Sequence, residues 1–479
     1  MLFNSFEFIF LFLPLAIIGY FLINRFNNRI AKVWLIGASL FFYSWWNIKY
    51  LPLILVSIGF NFTIGRTLSS DNLKFNRKNL LIIGLIGNIG LLGYYKYADF
   101  FINNVNSVFS TNLALLNLAL PLAISFFTFQ QIAFLVDTYR GEAKEYDLLN
   151  YALFVSFFPQ LIAGPIVHHR EMMPQFNSKD NYGINYRNLS KGLFIFIIGL
   201  FKKIVLADTF AVWATYGFDT APSLTMIEAW IVSLSYTFQL YFDFSGYTDM
   251  AIGAALMFNI KLPINFFSPY KSLDIQDFWR RWHMTLGRFL RNYIYIPLGG
   301  NRRGDFFTYR NLMITFLIGG LWHGAGWNFV FWGFLHGLAL VIHRIWRKLG
   351  FKMNKILAWF ITFNFVNVAW VFFRAKTWSD ALKVLKGMVG MNGIVLPASW
   401  ADKLTNLTHI EFGNYVVPDL KNALLMLIIG FIISVFFKNS IELRDNFKPN
   451  FIYLAMAVIM ALAALSQITS VSEFLYFNF

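Results

Sequence analysis

Residues 311–343 read NLMITFLIGGLWHGAGWNFVFWGFLHGLALVIH, a run of 33 residues without Asp, Glu, Lys or Arg. A bilayer core takes about 20 apolar residues per helix, and four glycines (319, 320, 324 and 326) interrupt this run on both sides of His323. Broken helices are tolerated at membrane depth only when they are buried in protein or line a wet cavity. The stretch therefore predicts an integral membrane protein whose middle encloses a cavity.

Other uncharged runs extend this prediction over the chain. They cover residues 8–24, 33–48, 50–65, 79–95, 100–136, 148–169, 192–201 continuing past Lys202 and Lys203, 229–242, 250–260, 356–373, 422–437 and 449–472. Each run is continuous, whereas the strands of an outer-membrane barrel read as about ten residues of alternating hydrophobicity. We therefore predict an all-α polytopic membrane protein with roughly eleven to thirteen membrane helices and re-entrant elements.

The chain reads as a single membrane domain, residues 1–479, because it shows no internal repeat and no flexible linker. Residues 120–374 form a motif-bearing core, and residues 470–479 form an aromatic C-terminal tail that ends Phe-Leu-Tyr-Phe-Asn-Phe. The first apolar run has no basic segment ahead of it and no small-residue cleavage site after it. We expect it to remain as a membrane helix rather than to be removed as a signal peptide.

The amino-acid composition limits which partners and which catalytic groups the protein can use. The residues are 57% hydrophobic and only 13% charged, with 40 Lys and Arg against 24 Asp and Glu, a formal charge of +16. In a membrane protein such basic residues decorate loops beside anionic lipid, so we predict lipid contact and no nucleic-acid partner. There is no Cys, which excludes disulfides and thiolate chemistry. Catalysis would have to use His, hydroxyl or carboxylate groups.

His323 is the first candidate for such chemistry, because an ionisable residue inside a membrane span is costly and marks a functional site by default. The alternative is a neutral core histidine bonded to a backbone carbonyl. The flanking glycines favour function, since they leave room for a ligand chain near the imidazole. His336 follows thirteen residues later, without the close spacing and carboxylate of a zinc pair. We predict no metal and expect His336 to pack between helices.

Residues 274–295 have one apolar helix face, with Asp274 at the start as a cap. Basic side chains lie largely off that face, namely Arg280, Arg281, His283, Arg288 and Arg291. This pattern predicts a basic amphipathic helix lying in or against the membrane interface. It fits a lipid-headgroup anchor, and it fits equally a binding surface for an anionic donor, because guanidinium pairs with phosphate. The sequence leaves both readings open.

Two acids, Asp243 and Asp249, lie between apolar stretches and need partners at membrane depth. Pairing with one of the Arg residues of 274–295 is the simpler explanation. The aromatic tail is unusual for a chain terminus, and it suggests docking into a groove, with interfacial anchoring as the alternative. Tyr476 carries the tail's one phenolic hydroxyl.

Several short motifs together resemble the membrane-bound O-acyltransferase superfamily, in particular the bacterial branch that O-acetylates alginate or peptidoglycan and D-alanylates teichoic acid. The motifs are Phe278 to Leu286 (FWRRWHMTL), Trp322-His323-Gly324, Phe242 to Tyr247 (FDFSGY), Leu161 to Ile166 (LIAGPI), Tyr43 to Asn47 (YSWWN) and Phe372 to Ala375 (FFRA). The resemblance extends from Met1 to about Ala375 and returns at the tail. Chain length and the opening segment fit the acetylating members better than the shorter D-alanylating ones.

The resemblance implies a site and a reaction. His323 matches the family's buried catalytic histidine, His283 the second motif histidine, and Tyr476 a tyrosine thought to hold the acyl group transiently. The substrate-binding residues that we predict are Trp279, Arg280, Arg281, Trp282, Trp322, Trp327 and Asp243. The implied fold is a ring of helices around a central funnel or tunnel that opens toward a cytoplasmic donor.

The implied donor is acetyl-CoA, used without a metal, and the implied location is the bacterial cytoplasmic (inner) membrane. The acetyl group would pass to a membrane-anchored or periplasmic acetyltransferase partner outside the cytoplasm, which would modify a polysaccharide such as peptidoglycan or an alginate-like polymer. A transporter or a channel-like scaffold without acyl-transfer chemistry is the alternative. Transporters often show two related halves, which this sequence lacks.

Overall fold

The computed structural model describes residues 1–70, 76–143, 147–398, 411–413, 417–468 and 475. Most of this part is α-helical. The helices are α1 (Leu13–Asn24), α2 (Asn28–Ser44), α3 (Leu51–Leu68), α4 (Arg77–Leu92), α5 (Ala98–Phe109), α6 (Ile124–Tyr139), α7 (Leu148–Ser156), α8 (Phe158–Leu161), α9 (His169–Phe176), α10 (Tyr186–Phe201), α11 (Asp208–Thr215), α12 (Met226–Met257), α13 (Ile275–Arg281), α14 (Met284–Leu290), α15 (Asp305–His323), α16 (Trp327–Lys348), α17 (Lys355–Arg374), α18 (Trp378–Met388), α19 (Leu420–Val435), α20 (Ser440–Asp445) and α21 (Phe451–Leu465).

Shorter elements join these helices. Five π-helical segments are Phe8–Phe12, Gly93–Tyr97, Lys202–Ala207, Tyr216–Thr220 and Arg291–Tyr295, and three 3₁₀ turns are Ile48–Tyr50, Lys179–Asn181 and Pro269–Lys271. Two three-residue strands, β1 (Val395–Pro397) and β2 (Glu411–Gly413), pair in parallel. The predicted helical class is therefore confirmed for the described residues.

Helix starts follow local sequence. An asparagine side chain accepts backbone N–H groups of the first turn at several starts, which satisfies donors that the helix itself leaves unpaired. These caps are Asn27, Asn76, Asn185, Asn354 and Asn450. Local sequence thus helps to determine where these helices begin.

Four helical stretches in the described part are long and apolar enough to cross a membrane: Ile48–Leu68, Arg77–Phe109, Trp327–Lys348 and Lys355–Arg374. Three shorter apolar helices accompany them, Phe8–Asn24, Leu420–Val435 and Phe451–Leu465. Exposed large apolar side chains are frequent on these helices, as lipid-facing surfaces require. The predicted number of eleven to thirteen membrane elements stays a prediction.

Helix α12 is the centre of the fold. It has 32 residues, and nearly all of them from Glu228 onward are buried. Its backbone meets that of α10 at glycine pairs: a Cβ on Gly192 would lie 2.7 Å from the carbonyl oxygen of Gly253, and one on Gly199 would lie 2.5 Å from that of Gly246. Close approach through small residues is typical of membrane helix packing. The uncharged runs 229–242 and 250–260 are therefore not separate membrane elements, because one continuous helix extends from Met226 to Met257.

The two buried carboxylates of α12, Asp243 and Asp249, are each paired with a lysine. Lys203 Nζ lies 2.6 Å from Asp243 Oδ1, and Lys202 Nζ lies 2.7 Å from Asp249 Oδ2. Both lysines lie on the π-helical segment that continues α10. The predicted arginine partners from 274–295 were wrong, since two lysines that interrupt an apolar run are nearer to these carboxylates.

The segment 274–295 is not one helix. Asp274 caps α13 as predicted, accepting the backbone N–H of Asp277. The chain then breaks at Trp282 and His283, where His283 has a left-handed backbone with φ of 44°, before α14 and a π-helical turn continue. The predicted apolar face packs on protein, because its side chains are buried: Phe278, Trp282, Leu286, Phe289 and Leu290. A single interfacial helix was therefore a wrong prediction.

Helices α15 and α16 form a tight hairpin around the break at Gly324. A Cβ on Gly320 would lie 2.2 Å from the carbonyl oxygen of Phe329, and one on Gly333 would lie 2.3 Å from that of Phe316. A Cβ on Gly324 would meet the Phe329 ring at 2.2 Å. The space beside Gly320 and Gly324 is thus filled by the neighbouring helix, whereas Gly326 lines a cavity. The expectation that the flanking glycines leave room for a ligand stays a prediction.

Candidate active site

His323 is the last residue of α15, which ends because Gly324 has an extended backbone. Its side chain is 4% exposed. The imidazole lies among aromatic rings, 5.1 Å between centroids from Trp332 and 5.1 Å from Phe373. Although His323 lies at a helix end, its side chain is therefore buried among aromatic side chains.

His283 lies beside it, with 6.3 Å between the two imidazole centroids. His283 is fully buried, and its Nδ1 is 3.1 Å from Asn265 Oδ1. The same oxygen accepts the Thr285 hydroxyl at 2.9 Å and the Thr285 backbone N–H at 3.2 Å. Asn265 thereby holds the break before α14 and orients His283. The two motif histidines, 40 positions apart in the chain, are brought together.

Several buried polar atoms around these histidines have no hydrogen-bond partner among the described residues. They are His283 Nε2, Trp332 Nε1 and His336 Nε2. The Trp332 ring lies 5.1 Å from His323 and 4.7 Å from His336. Buried polar groups are normally paired, so these atoms mark the cluster as a candidate binding site. His336 also accepts the indole N–H of Trp279 at 3.2 Å, which confirms that it packs between helices.

A cavity of about 1300 Å³, here called the basic cavity, adjoins this cluster. Its walls include Trp279, His343 and six cationic side chains, which are Arg280, Arg288, Arg291, Arg344, Arg347 and Lys348. Some are engaged: Arg288 pairs with Glu171 and Lys348 with Asp305. Arg280 and Arg291 have no acidic partner within 4 Å in the described part of the chain. The basic cavity therefore suits an anion.

A second cavity of about 890 Å³, here called the polar cavity, is lined differently. Its walls carry two exposed indoles, Trp327 and Trp378, and the ion pair between Arg374 and Asp219. Side-chain amides complete the lining, from Asn103, Asn104, Gln239 and Asn328. This cavity suits a neutral polar group.

The two cavities lie at opposite ends of the α15–α16 hairpin. Residues 305, 312, 315 and 316 of α15 and the last residues of α16 line the basic cavity, whereas residues 325–329 line the polar cavity. His323 lies between them. His323 itself lines neither of these two cavities. Its neighbour Phe373 lines the polar cavity, and its neighbour Trp332 contacts Trp279, which lines the basic cavity.

The other predicted residues are placed as follows. Trp282 and Trp322 are buried, and Trp322 stacks on Phe129. Arg281 pairs with Asp277 of its own helix. Trp327 is 57% exposed and donates its indole N–H to Asn104. Their predicted contact with substrate stays a prediction.

Asp243 contacts the tail as well as Lys203. Its Oδ2 accepts the backbone N–H of Leu475 at 3.3 Å, and Leu475 also lines the polar cavity. Tyr476 lies outside the described residues. The predicted docking of the tail is thus observed at its one described residue, and a substrate role for Asp243 stays a prediction.

A separate group of Asp137, His168 and His169 has candidate metal-ligand atoms within 4.8 Å of one another. The Tyr293 hydroxyl lies among them, donating to Asp137 Oδ2 at 2.9 Å and lying 2.5 Å from His168 Nε2. Burial lowers the pKa of His168, in the loop before α9, to about 4, so this imidazole is neutral at pH 7. The group already forms a hydrogen-bonded network, and the predicted absence of a metal stays a prediction.

Sequence reasoning missed Asn265, Trp332 and the lysines that face buried groups. Lys96 Nζ donates to the carbonyl oxygens of Trp322 at 2.6 Å and His323 at 3.1 Å. Lys96 could have been recognised from the sequence, because it interrupts the apolar sequence between the runs 79–95 and 100–136. Asn265 and Trp332 gave no such signal.

Comparison with known proteins identifies the family. A model of MBOAT, the membrane-bound O-acyltransferase family, matches residues 115–377. The chain is 52% identical, over 100% of its length and 98% of the relative's, to a peptidoglycan O-acetyltransferase of Helicobacter pylori. It is 38% identical to a probable alginate O-acetylase AlgI of Pseudomonas aeruginosa, over 88% of this chain and 80% of the relative.

A third relative is more distant. A teichoic acid D-alanyltransferase of Streptococcus thermophilus is 29% identical over 53% of this chain and 68% of its own length. The family match covers both motif histidines and both helices of the hairpin that carries His323. This chain therefore belongs to the membrane-bound O-acyltransferase family and is an enzyme of that class.

Proposed function

We propose that this protein is a membrane-embedded O-acetyltransferase of the bacterial inner membrane. It takes an acetyl group from a cytoplasmic thioester, acetyl-CoA, and passes it across the membrane for O-acetylation of a cell-envelope or secreted polysaccharide, with peptidoglycan favoured over an alginate-like polymer by the 52% identity to the Helicobacter pylori relative. One observation carries the proposal. The imidazole of His323 lies beside that of His283, between two chemically different cavities at opposite ends of the α15–α16 hairpin.

The basic cavity would receive the donor. Coenzyme A carries phosphates, and guanidinium groups bind phosphate through paired hydrogen bonds. Arg280 and Arg291 line that cavity, and their side chains are available for an anion. The thioester end would extend past Trp279 toward His323. Because helix α16 is long enough to cross the membrane, the two cavities would open on opposite faces.

The reaction at His323 is general-base acyl transfer. The imidazole takes the proton of an acceptor hydroxyl, the hydroxyl oxygen bonds to the thioester carbonyl carbon, and the carbon–sulfur bond breaks. The leaving thiolate then takes the proton back from the imidazolium. General-base catalysis contributes about 10²–10⁴-fold. The indole N–H of Trp332, which has no hydrogen-bond partner among the described residues, would stabilise the oxyanion. His283 would orient the donor.

The polar cavity would receive the acetyl group. Tyr476 follows Leu475, whose backbone is held by Asp243 at that cavity, so a phenol there could carry the acetyl group for a short time. A phenol with a pKa of about 10 needs a base at pH 7, which His323 would supply. An extracytoplasmic transferase partner would then accept the group and acetylate the polymer.

Replacing His323 with Ala tests the proposal. We expect normal protein levels in the membrane and loss of base-labile acetate from the wall polymer, measured per muramic acid. The matched control is His168→Asn, which alters a histidine outside both cavities and should keep acetylation. Normal acetylation in assembled His323→Ala protein would refute catalysis by this residue.

Replacing Tyr476 with Phe tests the carrier role separately. The variant keeps the aromatic ring and removes the hydroxyl. We expect acetyl-CoA binding to persist while polymer acetylation falls to the level of His323→Ala. Full acetylation would reduce the tail to an anchor and leave the role of His323 intact.

A further inference from the structure

The last turn of α15 is held by side chains from the π-helical segment Gly93–Tyr97. Lys96 Nζ donates to the carbonyl oxygens of Trp322 and His323, at 2.6 and 3.1 Å. The Tyr97 hydroxyl donates to the carbonyl oxygen of Leu321 at 2.9 Å. The carbonyl oxygens of three consecutive residues, 321 to 323, therefore accept hydrogen bonds from the adjacent side chains of Lys96 and Tyr97.

These carbonyls need partners from outside the helix. The last four carbonyls of an α-helix have no intrahelical donor, and α15 cannot continue because Gly324 is extended. At membrane depth an unsatisfied backbone group costs several kcal/mol. The C-terminal end of a helix also carries partial negative charge, which favours a cation.

Lys96 fits this position closely. Its ammonium has three N–H donors, and three acceptors lie within reach, since Ser125 Oγ of α6 is 3.4 Å away. No acidic side chain in the described part of the chain lies within 4 Å of it. Lys202 and Lys203 differ, because each pairs with a carboxylate of α12. A lysine held at membrane depth by two carbonyls and a hydroxyl, with no carboxylate among the described residues beside it, is a functional candidate.

We propose that Lys96 and Tyr97 are positioning residues that fix the backbone of His323 and so place its imidazole between the two cavities. The inference rests on the proposed role of His323 as the base. Because the donors bind the backbone of the catalytic turn, their loss would let that turn move while the walls of both cavities stay in place. Turnover would then fall without loss of donor binding.

The experiment measures kcat and KM for acetyl-CoA with purified full-length protein in lipid nanodiscs, following thiol release. The chain has no Cys, so it adds no thiol background. We expect Lys96→Met to lower kcat about ten- to a hundredfold, because a displacement of about 1 Å at a catalytic group can cost about a hundredfold. KM should stay within about twofold. Lys96→Arg, which keeps a cation and several donors, should restore kcat to within about fivefold.

The matched control is Lys383→Met. Lys383 Nζ also donates to two backbone carbonyl oxygens, those of Phe218 at 3.0 Å and Ala221 at 2.7 Å, but it lies away from His323. We expect it to lower the melting temperature about as much as Lys96→Met does while kcat is kept. If the Lys96→Met protein does not accumulate in the membrane, Tyr97→Phe provides the same test. We expect this variant to lower kcat about threefold or more while KM for acetyl-CoA stays unchanged.

Three results would overturn the inference: an unchanged kcat in folded Lys96→Met, equal kcat losses in Lys96→Met and Lys383→Met, or no rescue by Lys96→Arg. His323→Ala is measured in parallel. If that variant keeps its turnover, the proposed base is wrong. If it is inactive while Lys96→Met is fully active, the base stands and the positioning role fails.

Discussion

The two cavities at the ends of the α15–α16 hairpin differ more in charge than in size. The basic cavity has six Lys and Arg side chains and the carboxylate of Asp305. In the polar cavity, Arg374 and Lys376 are both within 4 Å of Asp219, and amides and indoles form much of the remaining wall. One end therefore attracts anions, and the other is close to neutral.

This difference matches the two halves of a vectorial acyl transfer. A phosphate-bearing donor needs unpaired cations, whereas an acetyl group on a hydroxyl carries no charge and needs hydrogen bonds and apolar contact. A symmetric transport path would present similar groups at both ends. The asymmetry therefore favours chemistry between the cavities over passage of one solute through them, and each region makes a separate prediction.

The largest effect is expected where the two regions meet. Trp332→Phe keeps a ring 5.1 Å from His323 and removes the indole N–H. If that donor stabilises the oxyanion, kcat should fall about 10²–10³-fold, with little change in KM for acetyl-CoA. Steady-state thiol release measures both. Trp346→Phe, on the exposed part of α16, is the control, and a kcat loss below about threefold in Trp332→Phe would exclude the indole from catalysis.

The second effect belongs to the basic cavity. Charged hydrogen bonds contribute about 1.5–3 kcal/mol each, so Arg280→Ala with Arg291→Ala should raise KM for acetyl-CoA by at least about a hundredfold. The kcat at saturation should stay near that of the wild type. Lys355→Ala, an exposed cation at the start of α17, is the control. An unchanged KM in the double variant would place the donor elsewhere.

The sequence was sufficient for the helical class, because membrane runs are local patterns. It also singled out His323 and His283, which the structure brings together, while their catalytic roles stay a prediction. It did not predict the break at His283, whose left-handed backbone depends on Asn265, 18 positions earlier. Nor did it predict that Lys202 and Lys203 neutralise Asp249 and Asp243. Such ion pairs depend on which helix faces pack against each other, and this packing cannot be read from one sequence.

The glycines around His323 show the same limit. Composition indicated open space, yet Gly320 and Gly333 are needed because backbones meet there. A missing side chain can serve either a ligand or a neighbouring helix, and only the packing decides between them. For Lys96 the sequence did contain a usable signal. Burying a charge in a membrane span is costly, so a lone lysine in an apolar stretch could have been predicted to have a function.

A third, smaller effect tests the barrier between His323 and the polar cavity. Phe373→Leu replaces a ring that lies beside His323 and lines the polar cavity with a smaller apolar side chain. Water should then reach the bound thioester more easily, and the ratio of acetyl-CoA hydrolysis to polymer acetylation should rise about tenfold, or about 1.4 kcal/mol. Phe360→Leu, on the exposed face of α17, should leave the ratio unchanged. An unchanged ratio in Phe373→Leu would mean that the acetyl group leaves by another route.

The smallest effect is expected at the rim of the polar cavity. Trp327 is exposed and makes one hydrogen bond, to Asn104, and a bond of this kind contributes about 0.5–1.5 kcal/mol. Trp327→Ala should therefore lower polymer acetylation by about threefold while KM for acetyl-CoA and thiol release in the absence of acceptor stay the same. Trp346→Ala, at the other end of α16, should change neither quantity. If Trp327→Ala instead raised KM for the donor, the assignment of donor and acceptor to the two cavities would have to be exchanged, because a residue that lines only the polar cavity would then bind the thioester.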